Sequence, residues 1–491
     1  LKVRCRGAVQ ARMSSGKAMP AGPSRHLVLN MDVNKTVIMS DKIQNATVDN
    51  IVNSEVANAA WGVVQNGEWH LVVPELSALR PNTATLDGWP DLRPQDLQNY
   101  ADWVDSQYPK RENKRTRQRL TGLFTHPGHP GEALAEHARR LKAMLHLPDG
   151  SDVFLLPSFL ELLVTLKRDK RTFCLVFRTF GEDLADVAED LNAFCEGRHP
   201  LFPDVRMDGS DGEPDYRFNI DDAETCGTFH RGNDGSLSVV MGTVEQPGEG
   251  QYRDATDRSI AFYDSMPGLR VVQGFEEVKD FWAQKTAACG TVAMRDYFQY
   301  WKANGMKSEG GKLFLFNTAR DCKEHAVFFD DNIRYSDFYI VNPVSTTEPE
   351  RKHWVINLIQ THLVRAEPLE AMSDRQYFVS KLARLEVAFD RKLKVRDRLR
   401  SLLRTAVLVN KTISMMTNMA GVVAQDEGGE FYDPWHGMRR TDEDLQLRTE
   451  DLEDSVIRDR GEARRPTGCL SRGHLAPISP RSPASSLMDG C

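Results

Sequence analysis

The sequence has no C-x-x-C pair. Its eight cysteines, at positions 5, 174, 195, 226, 289, 322, 469 and 491, are scattered. This spacing argues against a structural zinc site or a disulfide framework and points to a reducing compartment. Cys174 and Cys195 lie in apolar surroundings and read as small packed hydrophobes. No apolar run reaches the roughly 18 residues of a membrane span, so neither a bilayer segment nor a membrane partner is expected. There is no excess of positive charge either. With 63 basic and 70 acidic residues the net charge is −7, which provides no global field for nucleic acid or anionic lipid. Residues 1–25 contain Arg, Ser, Gly and Pro but no acidic residue and no apolar core, so a secretory signal peptide is not expected there. That stretch reads as a disordered or non-native leader, with Met13 or Met19 as candidate starts, or as an organelle transit peptide; the expected location is otherwise cytoplasmic. No internal repeat is present.

What is there is a set of apolar segments of strand length that end in polar groups. Leu27–Thr36 reads L-V-L-N-M-D-V-N-K-T, an apolar run that delivers Asp32. Thr172–Gly181 reads T-F-C-L-V-F-R-T-F-G and delivers Thr179, with Gly181 just beyond. Ala326–Asn332 reads A-V-F-F-D-D-N and delivers Asp330 and Asp331. Continuous apolar runs suit parallel strands buried on both faces, whose functional groups sit just past the carboxyl ends. Each residue also has a local reading: Asp32 as a cap or turn residue, Thr179 as a hydroxyl bonded to nearby backbone, the Asp pair as a turn.

In this order, strands ending in Asp, Thr and Asp-Asp resemble motifs I, II and IV of the haloacid-dehalogenase-like (HAD) phosphohydrolases, over roughly residues 26–345. The resemblance implies a Rossmann-like α/β core, a parallel sheet flanked by helices, with cap-like insertions at about 40–165 and 197–305 and a helical C-terminal extension. It further implies Mg²⁺ as cofactor and an aspartyl-phosphate intermediate. Asp32 is then the nucleophile and a metal ligand, Asn34 a metal ligand through its backbone carbonyl, Asp330 and Asp331 further ligands, and Thr179 a group that holds the phosphoryl oxygens. Lys312, before the apolar run Leu313–Phe316, is the candidate for the family's lysine, with Lys302, Lys307 and Lys323 as alternatives. One position departs from the pattern. The family's first motif is D-x-D-x-[TV], and here the second carboxylate is the amide of Asn34.

An amide cannot exchange a proton, and general acid–base assistance is typically worth about 10²–10⁴-fold. Three outcomes are open. The phosphorylated small-molecule substrate has a leaving group that needs no acid; another residue, such as His126, His129 or His230, supplies the proton; or the domain binds a phosphorylated ligand or partner and turns over little.

Elsewhere the periodicity predicts helices over Asp49–Ala60, Leu97–Tyr108, Glu132–Leu147, Pro157–Leu166, Glu182–Glu196, Glu276–Ala288, Thr291–Ala303 and Trp354–Val364. It predicts strands at Trp69–Val73, Leu269–Val272 and Phe338–Val341, and a hairpin over Thr228–Thr243 around Asn233-Asp-Gly235. Pro81–Pro94 reads as a loop. Lys110–Arg119 and Arg391–Arg404 are basic but helical in spacing, so solvated helix faces are expected rather than nucleic-acid contacts. Ser373–Gln376 has the pattern of a capping box opening a long helix. The α/β domain is expected to span 26–405, and residues 421–491, mixed in charge and then rich in Pro, Ser and Arg, read as a disordered tail.

Overall fold

The computed structural model describes residues 25–40, 46–81, 93–147, 150–232, 234–247, 249–250, 260–319, 322–353 and 355–425. The chain divides into two compact units, Leu1–Arg398 and Leu399–Cys491. All the strands described below belong to the first unit.

The first strand, β1 (His26–Asp32), has six of its seven residues buried, as a continuous apolar run requires. After it come a helix, Val48–Ala59, and a small antiparallel sheet of β2 (Trp61–Gln65), β3 (Glu68–Leu71) and β4 (Gln98–Asn99). Helices Tyr100–Gln107, Lys114–Gly122 and Ala135–Met144 follow. The basic run 110–119 thus lies on helical turns, as its spacing predicts. Helix Pro157–Arg168 then leads into β5 (Phe173–Thr179), which is buried throughout. Beyond helix Leu184–Cys195 lie β6 (Cys226–Arg231), β7 (Leu237–Met241), β8 (Arg270–Gln273), helix Phe275–Ala287 and β9 (Gly290–Asp296). Last come β10 (Lys312–Phe316), β11 (Glu324–Asp330), β12 (Val341–Ser345) and β13 (Leu363–Arg365).

Eight of these strands form one sheet in the order β13-β11-β1-β5-β9-β6-β7-β8. The run from β13 to β6 is parallel, and β7 and β8 add antiparallel pairings at one edge. The fold is therefore α/β, with a mixed, mostly parallel central sheet flanked by helices. Alternation along the strands sorts the core into two layers. Leu27, Leu29 and Met31 share one cluster with Phe173, Leu175 and Phe177, and with helix residues Phe159, Leu163, Leu191 and Leu382. Val28, Cys174, Val176, Val292 and Phe328 face the other way, toward Phe281, Trp282, Trp301 and Phe314. The chain leaves β1 toward β5 and returns to β11 on the opposite side. The carboxyl ends of β1 and β11 consequently meet at the switch in strand order, where ligand crevices form in such sheets.

Several expectations need correction. Thr291–Ala303 is not one helix: Gly290–Asp296 is a strand in the middle of the sheet, and the helix begins at Phe298. Ala293 and Met294 are good helix formers, but the slot between β5 and β6 buries the segment on both faces and overrides local preference. It follows that 197–305, expected as a cap-like insertion, supplies β6 to β9 to the sheet itself. The helix expected over Trp354–Val364 is short, Val355–Leu358. Gln360 takes a left-handed φ of 61°, and Leu363–Arg365 pairs with Phe328–Asp330. The strand expected at Phe338–Val341 starts only at Val341, after Tyr339 with φ 47°. At helix Tyr377–Gln425 the local acceptor is Asp374 and not Ser373, with the Gln376 backbone N–H donating to Asp374 Oδ1 at 2.8 Å. Residues 1–24, residues 82–92 of the loop expected at Pro81–Pro94, Asn233 and the residues beyond 425 lie outside the described residues; 421–425 are helical.

Candidate functional site

The register places three of the expected residues side by side. Met31 is level with Phe329 on β11, so Asp32 and Asp330 end adjacent strands. On the other side Asp32 is level with Arg178, so Thr179 lies one residue further along β5. Asp32 is 5 % exposed and Asp330 not at all.

Lys312 joins them. It opens β10, which lies outside the central sheet and pairs with β12, and its side chain is fully buried across the sheet edge. Its Nζ donates to Asp32 Oδ1 and, at 2.8 Å, to Asp330 Oδ2. The strand is held there from below. Arg178, 1 % exposed, makes a two-pronged ion pair with Asp296 (3.0 and 2.5 Å), donates to the Leu313 carbonyl at 2.7 Å, and lies over the Phe229 and Phe328 rings. A planar guanidinium suits this forked, stacked position, where an ammonium would not.

The segment after Asp32 folds back on itself. The Val33 carbonyl accepts from the backbone N–H groups of Thr36, Val37 and Ile38 at 3.3, 3.0 and 3.1 Å, and Lys35 takes a left-handed φ of 60°. The turn brings the buried Thr36 hydroxyl to Asp32 Oδ2 at 3.2 Å. Asp330 Oδ1 accepts from the Asn332 backbone N–H at 2.8 Å, and Asn332 Nδ2 donates to Asp331 Oδ1 at 2.6 Å.

Carboxylate oxygens of Asp32, Asp330 and Asp331 lie within 4.8 Å of one another. Asp32 and Asp330 are buried, and Asp331 is partly exposed. Three carboxylates face one ammonium in a site largely removed from water, an imbalance that calls for a bound cation or proton. Burial pushes the Asp32 carboxyl up to about 7, with Lys312 opposing the rise and Asp330 adding to it. Burial and the charges of Asp32 and Asp330 also raise Asp331 well above the usual carboxylate range. Burial works against the Lys312 ammonium, yet the two aspartates beside it hold it above its ordinary value. The donors are all hard oxygens, few in number, and open toward solvent at Asp331. This set fits Mg²⁺, which keeps several waters and takes few carboxylates.

Thr179 and Asn34 form a separate corner beside this cluster. The Thr179 hydroxyl accepts from the Gly181 backbone N–H at 2.7 Å and donates to Asn34 Oδ1 at 3.4 Å. Asn34 Nδ2 donates to Asp183 Oδ2 at 2.8 Å and to the Ser40 carbonyl at 3.0 Å. Asp183 sits at the N-cap position of helix Leu184–Cys195, but its side chain makes no capping bond and turns to Asn34. Gly181 leaves room for this corner. A Cβ would lie 2.9 Å from both Asn34 Oδ1 and Asp183 Oδ2.

The sequence reading missed Asp183 and Arg178, and it matched Thr36 only as a motif position without a role. Thr36 was legible as the fourth residue after Asp32. Asp183, four residues after Thr179, reads as an ordinary helix cap, and Arg178 as a strand residue. The histidines weighed as proton donors are engaged elsewhere. His126 lies 3.3 Å from Asp49, His129 is its neighbour with ring centroids 6.5 Å apart, and His230 on β6 packs between the Tyr263 and Tyr297 rings. Lys302 and Lys307 are exposed, near the end of helix Phe298–Ala303 and just beyond it, and the exposed Lys323 precedes β11.

No protein-family model, no curated protein and no solved structure matches this chain. Fold and site together define an α/β protein with a buried acidic cluster, bridged by one lysine, at the switch point of its sheet. No helix among the described residues is long and apolar enough to cross a membrane.

Proposed function

We propose that this chain is a divergent HAD-like protein that performs Mg²⁺-dependent phosphoryl transfer through Asp32. The observation that carries the reading is the meeting of Asp32, Asp330, Asp331 and Lys312 at the carboxyl ends of β1 and β11. Phosphoryl transfer needs an attacking oxygen, positive charge for the phosphate oxygens and donors around them. Asp32 supplies the oxygen and Lys312 the charge. Asp32, Asp330 and Asp331, with the Asn34 carbonyl, are the groups that would hold Mg²⁺. The bound ion would neutralise charge on the transferring phosphoryl group. The run of parallel strands from β13 to β9, with acidic residues at two adjacent carboxyl ends, also supports the reading. The region 40–165, with its own small sheet and helices, is the cap-like element in this view.

A second reading is favoured by one observation, the committed amide of Asn34: a domain that binds a phosphorylated ligand or partner without turnover. Two measurements separate them. Calorimetric Mg²⁺ binding, weakened by Asp330→Asn and Asp331→Asn, is expected under both. Mg²⁺-dependent transfer from acetyl phosphate or p-nitrophenyl phosphate, seen as released phosphate or as covalent label and abolished by Asp32→Asn, is expected only under the first. Absence of both label and release refutes it.

A further inference from the structure

A charge taken out of water needs a partner, and the arginines packed on the sheet accordingly have one. Arg178 is held by Asp296, Arg295 by Glu249 and Glu182, and Arg171 by Glu386. Arg231 is different. It ends β6, which runs parallel to β9, β5 and β1, so it lies at the same sheet edge as Asp32, three strands away. Among the described residues its side chain makes no hydrogen bond and no ion pair, and its guanidinium lies 5.6 Å from the centre of the Tyr300 ring. Burial lowers it from the ordinary arginine value, with Tyr300 and Asp296 opposing that shift.

The space beside it is a cavity of about 470 Å³ between the tip of the β6–β7 hairpin and helix Phe298–Ala303. Arg231 lines it together with Asp234, Tyr297, Gln299, Tyr300 and Asn304. The hairpin tip is a fixed wall. The Gly232 N–H donates to the Ser236 carbonyl at 2.9 Å, and Gly235 takes φ 85°, where a Cβ would lie 3.3 Å from the Tyr300 hydroxyl. The Ser236 backbone N–H donates to Asp234 Oδ1 at 2.9 Å, and the bonds from Ser236 hold that carboxyl below its usual value. Asp234 is thus ionised and tied to the turn, and it forms no ion pair with Arg231.

We propose that this cavity is a second ligand site, separate from the Asp32 cluster, that takes a small organic carboxylate on Arg231. A forked guanidinium matches the two oxygens of a carboxylate. The volume is that of a small-molecule pocket, so it holds a molecular body as well as an anionic group. The rings of Tyr297 and Tyr300 give that body an apolar wall, and the exposed amides of Gln299 and Asn304 give it a polar rim. Asp234 selects by charge. It repels a phosphate dianion about twice as strongly as a carboxylate monoanion at the same distance. The site shares no residue with the phosphoryl-transfer reading and stands without it.

Phenylglyoxal modification of the full chain, mapped by peptide mass spectrometry, reads each guanidinium directly. Arg231 should react while Arg178 and Arg295, engaged with carboxylates, resist. Benzoate should protect Arg231, benzamide (the same ring without the charge) should not, and inorganic phosphate should protect less than benzoate at equal concentration. Benzoate binding followed by NMR titration should weaken about 10–100-fold in Arg231→Gln, the range of a hydrogen bond to a charged group. It should tighten in Asp234→Asn and stay unchanged in Asp32→Asn. Phosphate protecting as well as benzoate overturns the carboxylate class. No protection by benzoate, or equal protection by benzamide, overturns the site, and benzoate binding lost in Asp32→Asn overturns its separateness. Each of these results leaves phosphoryl transfer at Asp32 untouched, and protection of the wild-type chain decides the matter even where a variant fails to fold.

Discussion

Replacing Lys312 by Met would test the electrostatic account of the site most directly. The side chain is buried and bonds Asp32 and Asp330 at once, so the substitution leaves two buried carboxylates facing each other with their shared cation gone. Removing one partner of a buried ion pair costs about 3–5 kcal/mol. The cost should depend on pH in a specified direction. In the native protein the Asp32 carboxyl is raised from its ordinary 3.8 to about 7. Across that window the native state holds a proton that the unfolded chain has lost, so stability falls as pH rises from about 4 to 7. The full interval corresponds to about 4 kcal/mol, at about 1.4 kcal/mol per pH unit. Without Lys312 the carboxyl is pushed higher still. The variant's deficit should therefore be largest near pH 8 and shrink toward pH 5, where a proton replaces the lost ammonium. Urea unfolding followed by tryptophan fluorescence in EDTA, at both pH values, measures it. Lys312→Met/Asp330→Asn should recover most of the loss at pH 8. An equal deficit at both pH values, or none, would refute the reasoning.

Three further outcomes follow from the same structure. His325 is buried against the Phe389 ring and bonded to the Thr361 carbonyl, and burial lowers it to about 4 from 6.5. The unfolded chain takes up that proton first, so stability should fall as pH drops from 6.5 toward 4, by about 3 kcal/mol from this residue; the difference between wild-type and His325→Leu unfolding curves reads it. Gly181→Ala should cost about 1–3 kcal/mol through overpacking against Asn34 and Asp183, and it should slow phosphoryl uptake while the far-ultraviolet circular dichroism stays unchanged. At a Mg²⁺ concentration a hundredfold above its Kd, unfolding free energy should rise by about 2.7 kcal/mol. Asp331→Asn should weaken that rise, and an undiminished one would remove Asp331 from the ligand set.

How much of this was legible beforehand depends on the range of the interaction. The strand at Leu27–Asp32, those ending in Thr179 and Asp330, and most amphipathic helices were readable because a run buried on both faces, or a face repeating every three to four residues, is a local property. The sequence by itself also determined the chemical inventory of the site: Asp32, Thr179, Asp330, Asp331 and an amide at position 34. It left β9 hidden, because Gly290–Asp296 is a strand only through the neighbours that enclose it. It put Lys312 ahead of Lys302, Lys307 and Lys323 but could not place its ammonium, since that depends on where β10 is held by Arg178 from another strand. The meaning of Asn34 was the last thing the tertiary structure decided. By the resemblance it reads as a missing acid; in the fold it is a hydrogen-bond partner of Asp183, far along the chain, a contact that no local pattern discloses. Burial turns such distant pairings into strong constraints, because inside the protein each charge and each hydrogen-bonding group must find its counterpart.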